Sequence, residues 1–285
     1  SILPYSYLGH QGLLNGLHCG DRFFNKVGAA IGERTFCNST ASKAFSMVAG
    51  PTGGLDPESF KHSKLIIIWG MNLLSTSVHH GRIVLDAVKN GTKLVVIDPI
   101  TTSIAKKADI HVRPRPGTDV VLALSIANFI IQNNLVDGEY LENHTIGFSE
   151  FSERANAYDT DTASEITGVL KSDIERIGSL ISEEKVIGIR TGVALERNAN
   201  GGDAIRSIAA LPALIGAWRY IGGGIFQHPQ GTFPINRRKL ARPEFAEAGR
   251  RAVNLFDLAE ALDPDANEPI SCLFVYNSNP VITSA

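Results

Sequence analysis

Two short apolar runs, "KLIIIWG" (64–70) and "TKLVVIDP" (92–99), constrain this chain more than any other feature. Each is rich in β-branched residues and shows no alternation of polar and apolar positions. A strand buried on both faces reads that way, and such strands belong to parallel sheets covered by helices. Between them, "HHGRIVLDAVKNG" places Ile83, Val84 and Val88 on one helical face and stops at Asn90-Gly91. The unit is β-α-β, because parallel neighbours need a crossover of that length.

The pattern continues along the chain. "ADIHVRPRPG" holds a shorter extended piece, broken by Pro114 and Pro116. "TDVVLALSIANFIIQNNL" reads as an apolar helix capped by Thr118 or Asp119. The charged middle, from Asp137 to Lys185, predicts two or three surface helices, the last opening at Ser172 or Asp173. "VIGIRTGVAL" returns to strand and loop, and "GGDAIRSIAALPALIGAW" is a second apolar helix, stopped by the glycines of "YIGGGIF". Residues 227–267 read as a long polar excursion, and "ISCLFVYNSNP" as a final strand. Strands alternating with helices predict an α/β fold with a doubly wound, mostly parallel sheet.

Composition narrows the function classes. The net charge is −2 in 285 residues, which gives no electrostatic case for nucleic acid or an anionic membrane. No apolar run approaches the ~18 residues of a membrane span. Cys19, Cys37 and Cys272 form no close pair, which argues against a disulfide framework and against a zinc or iron–sulfur site built from this chain alone. His79 and His80 are adjacent rather than one helical turn apart, so they read as solvent-facing or packing residues. The chain opens without Met, basic n-region or apolar core, and reads as an interior piece of a longer polypeptide whose compartment is not legible.

Ligands of open parallel sheets bind beyond the carboxyl ends of the strands. Four such ends carry polar or glycine-rich residues: "WGMN" (69–72), "IDPITT" (97–102), "RTG" (190–192) and "YNSNP" (276–280). Gly70 allows close backbone approach, Asn72 both donates and accepts, and Asp98 can accept from a ribose hydroxyl or a guanine edge. "RPGTD" (115–119) adds a turn into a helix with a guanidinium beside it. Each has a plain structural reading: Asp98-Pro99 as a turn, Trp69-Gly70 as packing, Gly222 to Gly224 as a helix stop. Neither GxGxxG, GxxxxGK[ST] nor GxSxG is present. Cys37, in "RTFCNSTASKAF", is left by its spacing as a core thiol, a ligand or a nucleophile.

In order and spacing, "LIIIWGMN" with His79, "KLVVIDPITTSIAKKADIHVRPRPGTDVVLALSIANFII", "NLVDGEYLENHTIGF", "ASEITGV", "TGVALERNANGGDAIRSIAALPALIGAWRYIGGGIF" and "VYNSNP" resemble the molybdopterin oxidoreductase family. "PYSYLGHQGLL" and "RFFNKVGA" are similar to the family's run-up to its metal site. The resemblance implies a bis-molybdopterin guanine dinucleotide cofactor with molybdenum or tungsten. "CNSTASKAFSMVAG" is similar to the helix start that carries a cysteine ligand, with Phe45 and Gly50 in the matching places, so Cys37 becomes the expected thiolate on the metal. A soft thiolate suits a metal already bound by sulfur. The dinucleotide contacts carry over to Gly70, Asn72, Asp98, Thr101, Gly117 and Asp119, with Trp69 as a wall. Thr191, Gly192, Arg197, Asn198 and Gly201 resemble a second contact region, completed by Asn277 and Asn279.

The resemblance further implies domains: a cofactor-binding α/β domain over 34–230, and a second, discontinuous α/β domain over 1–33 and 231–285. The family's N-terminal 4Fe-4S segment and C-terminal cofactor-binding domain have no counterpart in this sequence, so the chain alone is expected to be inactive. Expected partners are a small-molecule redox substrate and an electron-transfer protein or subunit, with no nucleic acid and no membrane span. Asn38 stands where relatives acting on formate place histidine. The alternative is a scaffold or electron-transfer subunit of the same fold without molybdenum, as in respiratory complex I.

Overall fold

The computed structural model describes the chain apart from residues 8, 10, 11, 36, 52, 229–234 and 284–285 and the side chains of residues 17 and 283. Part of the run-up to Cys37 and part of the polar excursion therefore lie outside the described residues. The chain divides into two compact units, Thr40–Thr232 and a unit made of Ser1–Ser39 with Phe233–Ala285.

The larger unit is built on a five-stranded sheet. Its strands are β3 (Leu65–Trp69), β4 (Lys93–Ile97), β5 (Ile110–Val112), β6 (Ile187–Thr191) and β7 (Gly224–Phe226), following β1 (Ile2–Tyr5) and β2 (Ile31–Glu33) of the smaller unit. The order is β5-β4-β3-β6-β7, with every pair parallel. Every residue of β3 is buried, as the unbroken apolar run requires. One face carries Leu65, Ile67, Trp69, Ile187 and Ile189, packed on helices Asp119–Gln132, Lys171–Glu184 and Gly201–Leu214. The other carries Ile66, Ile68, Leu94 and Val96, packed on Phe60 and on Val84 of helix Val78–Lys89. Each such side chain contributes roughly 2 kcal/mol by burial. The fold is a doubly wound α/β sheet with a second α/β region, as the element pattern predicts.

The smaller unit holds two parallel pairs, β1 with β9 (Cys272–Val275) and β2 with β8 (Ala252–Asn254). Its core comprises Leu3, Tyr5, Ala30, Val253, Leu255, Ala261 and Ile270.

Several local expectations are corrected. The charged middle forms four helices, Gly138–His144, Phe148–Asn156, Thr160–Thr167 and Lys171–Glu184. They are not only surface elements, because Leu141, Ala155, Ala163 and Ile177 are buried. The last opens one residue early, with Leu170 at the N-cap. Thr118 is the N-cap of helix Asp119–Gln132, but its hydroxyl donates back to the Arg115 carbonyl (2.6 Å) rather than capping an amide. The glycines of "YIGGGIF" do not stop the preceding helix, which ends at Leu214; they lead into β7, Gly222 lying against His62 and Ser63, Gly223 against Ala217 and Gly224 against Trp218. Residues 237–262 of the excursion hold two short helices and β8.

Candidate functional site

The central strands of the larger unit leave the sheet backbone to backbone. The Gly70 N–H donates to the Ile97 carbonyl and the Gly192 N–H to the Trp69 carbonyl, both at 2.8 Å. A Cβ on Gly192 would stand 1.9 Å from the Gly70 oxygen, and Gly70 itself has φ +62°. Only glycine allows that approach. Strand order reverses at this seam, since β3 leads outward through β4 to β5 while β6 and β7 lie on its other side. Such a switch point leaves a crevice beyond the strand ends. At it, Asn72 Oδ1 and Thr191 Oγ1 are buried with no hydrogen-bond partner among the described residues. An unmet polar atom of this kind costs about 1–3 kcal/mol, so each is an acceptor in waiting.

Two carboxylates belong to the same strand ends. Asp119 opens its helix and accepts from Trp69 Nε1 at 2.8 Å. Burial pushes its carboxyl above the usual range, the Trp69 bond opposes this, and the nearby Asp98 charge adds to it. Asp98 is buried; its Oδ1 accepts from the Ile100 N–H at 3.0 Å, and its carbonyl is 3.0 Å from His111 Nε2. Thr101 is exposed, whereas the neighbouring Thr102 is buried and its Oγ1 accepts from the Ala105 N–H. Gly117, at φ +83°, accepts from Asn200 Nδ2 at 2.9 Å, and Asn198 O accepts from the Gly201 N–H at 2.9 Å. The "RPGTD" turn and the "NANGG" loop are thus one local structure. Arg197 is exposed on the turn Val193–Arg197.

Cys37, Asn277 and Asn279 belong to the smaller unit. Cys37 is a half-buried free thiol two residues ahead of helix Ser39–Ala49. Its backbone is held twice by one phenol: the Cys37 N–H donates to Tyr7 Oη at 2.9 Å, and Tyr7 Oη donates to the Cys37 carbonyl at 3.2 Å. Asn38 follows in the left-handed region at φ +50°. Asn277, at φ +51°, accepts from the Gly9 N–H through its carbonyl (2.9 Å) and donates through Nδ2 to Gly16 O (3.3 Å). Among the described residues, no three His, Cys, Asp or Glu side chains gather as a metal-holding group.

Sequence reasoning gave no functional role to four residues. Glu196 caps helix Ser39–Ala49, its Oε2 accepting from the Ala41 N–H at 3.0 Å. Tyr7 acts on Cys37 as described. Arg190 and His80 are buried polar groups on the Phe226 side of the sheet. Glu196 lies in "LERNANGG" and Arg190 opens "RTG", both beside residues singled out, while His80 packs against Phe60 and Phe226, one of the two readings its sequence offers.

The molybdopterin oxidoreductase family matches residues 11–285. The chain is 37% identical over 286 residues to the Bacillus subtilis (strain 168) protein named "Probable oxidoreductase YoaE", covering 100% of this chain and 42% of that protein. It is 28% identical over 285 residues to "Probable oxidoreductase YyaE" of the same organism, covering 99% and 42%. The solved structure of acetylene hydratase from Pelobacter acetylenicus superposes with a TM-score of 0.76 at 25% identity, over 92% of this chain and 41% of that one. The chain spans about two fifths of the length of these relatives. It belongs to the molybdopterin oxidoreductase family.

Proposed function

We propose that this chain supplies the nucleotide cradle and the protein thiolate of a molybdenum- or tungsten-dependent enzyme using a bis-molybdopterin guanine dinucleotide cofactor. The observation that carries this reading is the pair of orphaned oxygens, Asn72 Oδ1 and Thr191 Oγ1, at the β3/β6 switch point. A guanine dinucleotide fits that donor set. Its amino, imino and ribose hydroxyl groups are donors, and the strand ends offer acceptors: Asn72, Thr191, Asp98 and Asp119. Gly70 and Gly192 keep the wall free of side chains where the backbones meet. Thr101 and Gly117 are assigned to the dinucleotide contacts, Trp69 to the wall, and Arg197, Asn198 and Gly201 to the second contact region, with Asn277 and Asn279 to complete it.

When bound, the cofactor supplies a metal that changes oxidation state and moves two electrons with oxygen-atom or hydride transfer. The chain's part is to bind, orient and ligate. Cys37 contributes a soft sulfur donor, and Tyr7 fixes the backbone that presents it. Electrons leave to a partner protein or subunit. Relatives carrying oxidoreductase and hydratase names show that the shared fold does not select the substrate.

The test is metal and pterin analysis of the natural protein that carries this sequence, with and without Cys37→Ala. Stoichiometric molybdenum or tungsten with a guanine dinucleotide pterin, and turnover lost in a folded Cys37→Ala, are the expected results. A folded protein without pterin or metal is the scaffold alternative, and an active Cys37→Ala removes the thiolate assignment.

A further inference from the structure

Among the described residues, no carboxylate pairs with the buried Arg190. It is the fourth residue of β6, in register with Ile68 of β3 and Phe226 of β7, and is 7% exposed. Its Nη1 donates to three main-chain carbonyls: Thr191 (2.5 Å), Phe226 (3.3 Å) and Gln227. Its guanidinium carbon lies 4.5 Å from the centroid of the Phe226 ring. Among the described residues no carboxylate pairs with it and Nη2 makes no hydrogen bond, while Nε is buried without a partner. Burial alone lowers its pKa, to about 10.

Carbonyls on Nη1 take one corner of the guanidinium and leave the side-on edge, Nε with Nη2, whole. That edge is one of the two faces with which arginine grips a carboxylate or phosphate through paired N–H bonds. Here the ring of Phe226 and the carbonyls fix its plane, so a ligand would not have to order it. Burying an unpaired charge is strongly unfavourable, and chains keep one where a counter-charge arrives.

A second group points the same way. His80, in the first turn of helix Val78–Lys89, is 5% exposed, and neither ring nitrogen has a hydrogen-bond partner among the described residues. Its ring meets Phe60 at 4.5 Å and Phe226 at 5.6 Å, centroid to centroid, so Phe226 touches both polar residues. Burial holds its pKa down, to about 4, the Arg190 charge lowering it further and Asp56 opposing. A neutral imidazole retains one N–H donor.

We propose that the Nε–Nη2 edge of Arg190, with His80 beside it, is the binding site of an oxyanion that presents two oxygens side by side. Its owner is either a phosphate of the bound nucleotide or a small free oxyanion; only the first rests on the function proposed above.

The test follows the Arg190 Nε–H resonance in the 285-residue chain during titration with inorganic phosphate, GDP and formate. A saturable shift with any of them is expected, and Arg190→Lys, which keeps the charge but lacks the fork, should bind that anion fivefold or more weakly. GDP saturating tenfold below phosphate identifies the nucleotide as owner; a formate response identifies a free oxyanion. No saturable shift with all three overturns the proposal, as does loss of less than fivefold in a folded Arg190→Lys. Should that variant not fold, the wild-type titration decides alone. GDP binding seen by calorimetry with an unmoved Arg190 signal would leave the nucleotide reading standing and this one refuted. The reverse pattern would do the opposite.

Discussion

The two units of this chain are stabilised on different scales. The larger one closes a five-stranded parallel sheet between two apolar layers, and β3 and β4 are joined by two helices, Leu73–Thr76 and Val78–Lys89, within 33 residues, Leu65 to Ile97. The smaller one rests on two-stranded ladders that join opposite ends of the chain, Ile2 against Cys272 and Ile31 against Ala252, over a core of seven buried side chains. Hydrophobic stabilisation grows with buried area, and loop closure must be met before distant strands repay it. The larger unit is therefore expected to be the more stable, and the smaller one marginal. The proposed nucleotide contacts are mostly on the first, while Cys37 is on the second.

The largest effect should come from the seam of the larger unit. Gly192→Val places a Cβ 1.9 Å from a main-chain oxygen, where the obstacle is backbone and cannot swing aside. A loss above about 4 kcal/mol is expected, enough to prevent a stable fold. Both tryptophans, Trp69 and Trp218, lie in this unit, so the unfolding transition read by tryptophan fluorescence should collapse. A variant with the wild-type midpoint would show that the seam opens freely.

The complementary probe is Leu3→Ala. Leu3 is fully buried in the smaller core, and its truncation should cost about 2–4 kcal/mol there. Alkylation of the half-buried Cys37 reports that unit, so its protection should vanish at lower urea while the tryptophan transition stays in place. Coincident shifts of both probes would mean that the units unfold as one.

The same contrast decides how much the sequence revealed. β3 and β4 are legible because an unbroken β-branched run has few alternatives to a doubly buried strand. β7 is not, because three residues that begin at the last of three glycines carry no periodicity; its place comes from pairing with Gly188, Ile189 and Arg190. β1 is equally silent, four residues with a proline, paired across nearly the whole chain. Among the proposed contacts, Gly70 and Asn72 stand where the rule that ligands meet strand ends puts them, whereas Asp119 opens a helix and came from the resemblance. Arg190 shows the limit of that rule. "RTG" displays a charge, but a missing counter-charge is a property of three dimensions.

A smaller effect concerns pH. His80 is held neutral in the fold, with its pKa lowered from 6.5 to about 4. Between those values the unfolded chain takes up a proton that the folded one refuses. This contribution is therefore complete above pH 6.5 and is lost as pH falls toward 4, by about 3 kcal/mol at most. Stability from the tryptophan transition, measured from pH 7 to 4, should fall less steeply in His80→Leu than in wild type. Equal slopes would mean that His80 finds a partner for its protonated form.

The smallest effect isolates Cys37 within the less stable unit. Tyr7→Phe removes the one hydroxyl that meets both the N–H and the carbonyl of Cys37, and leaves the Ser39 N–H bond to that carbonyl (2.5 Å) intact. Each neutral hydrogen bond is worth about 1 kcal/mol net, and water can replace this one because Cys37 is half-buried. The backbone should loosen without unfolding. Iodoacetamide should then modify Cys37 roughly three- to tenfold faster, the range to which about 1 kcal/mol corresponds. Cys19 and Cys272 are exposed, so their rates serve as internal controls and should not move. If all three thiols speed up together, Tyr7 supports the unit as a whole. If none does, the left-handed turn at Asn38 and the helix behind it hold the thiol without the phenol.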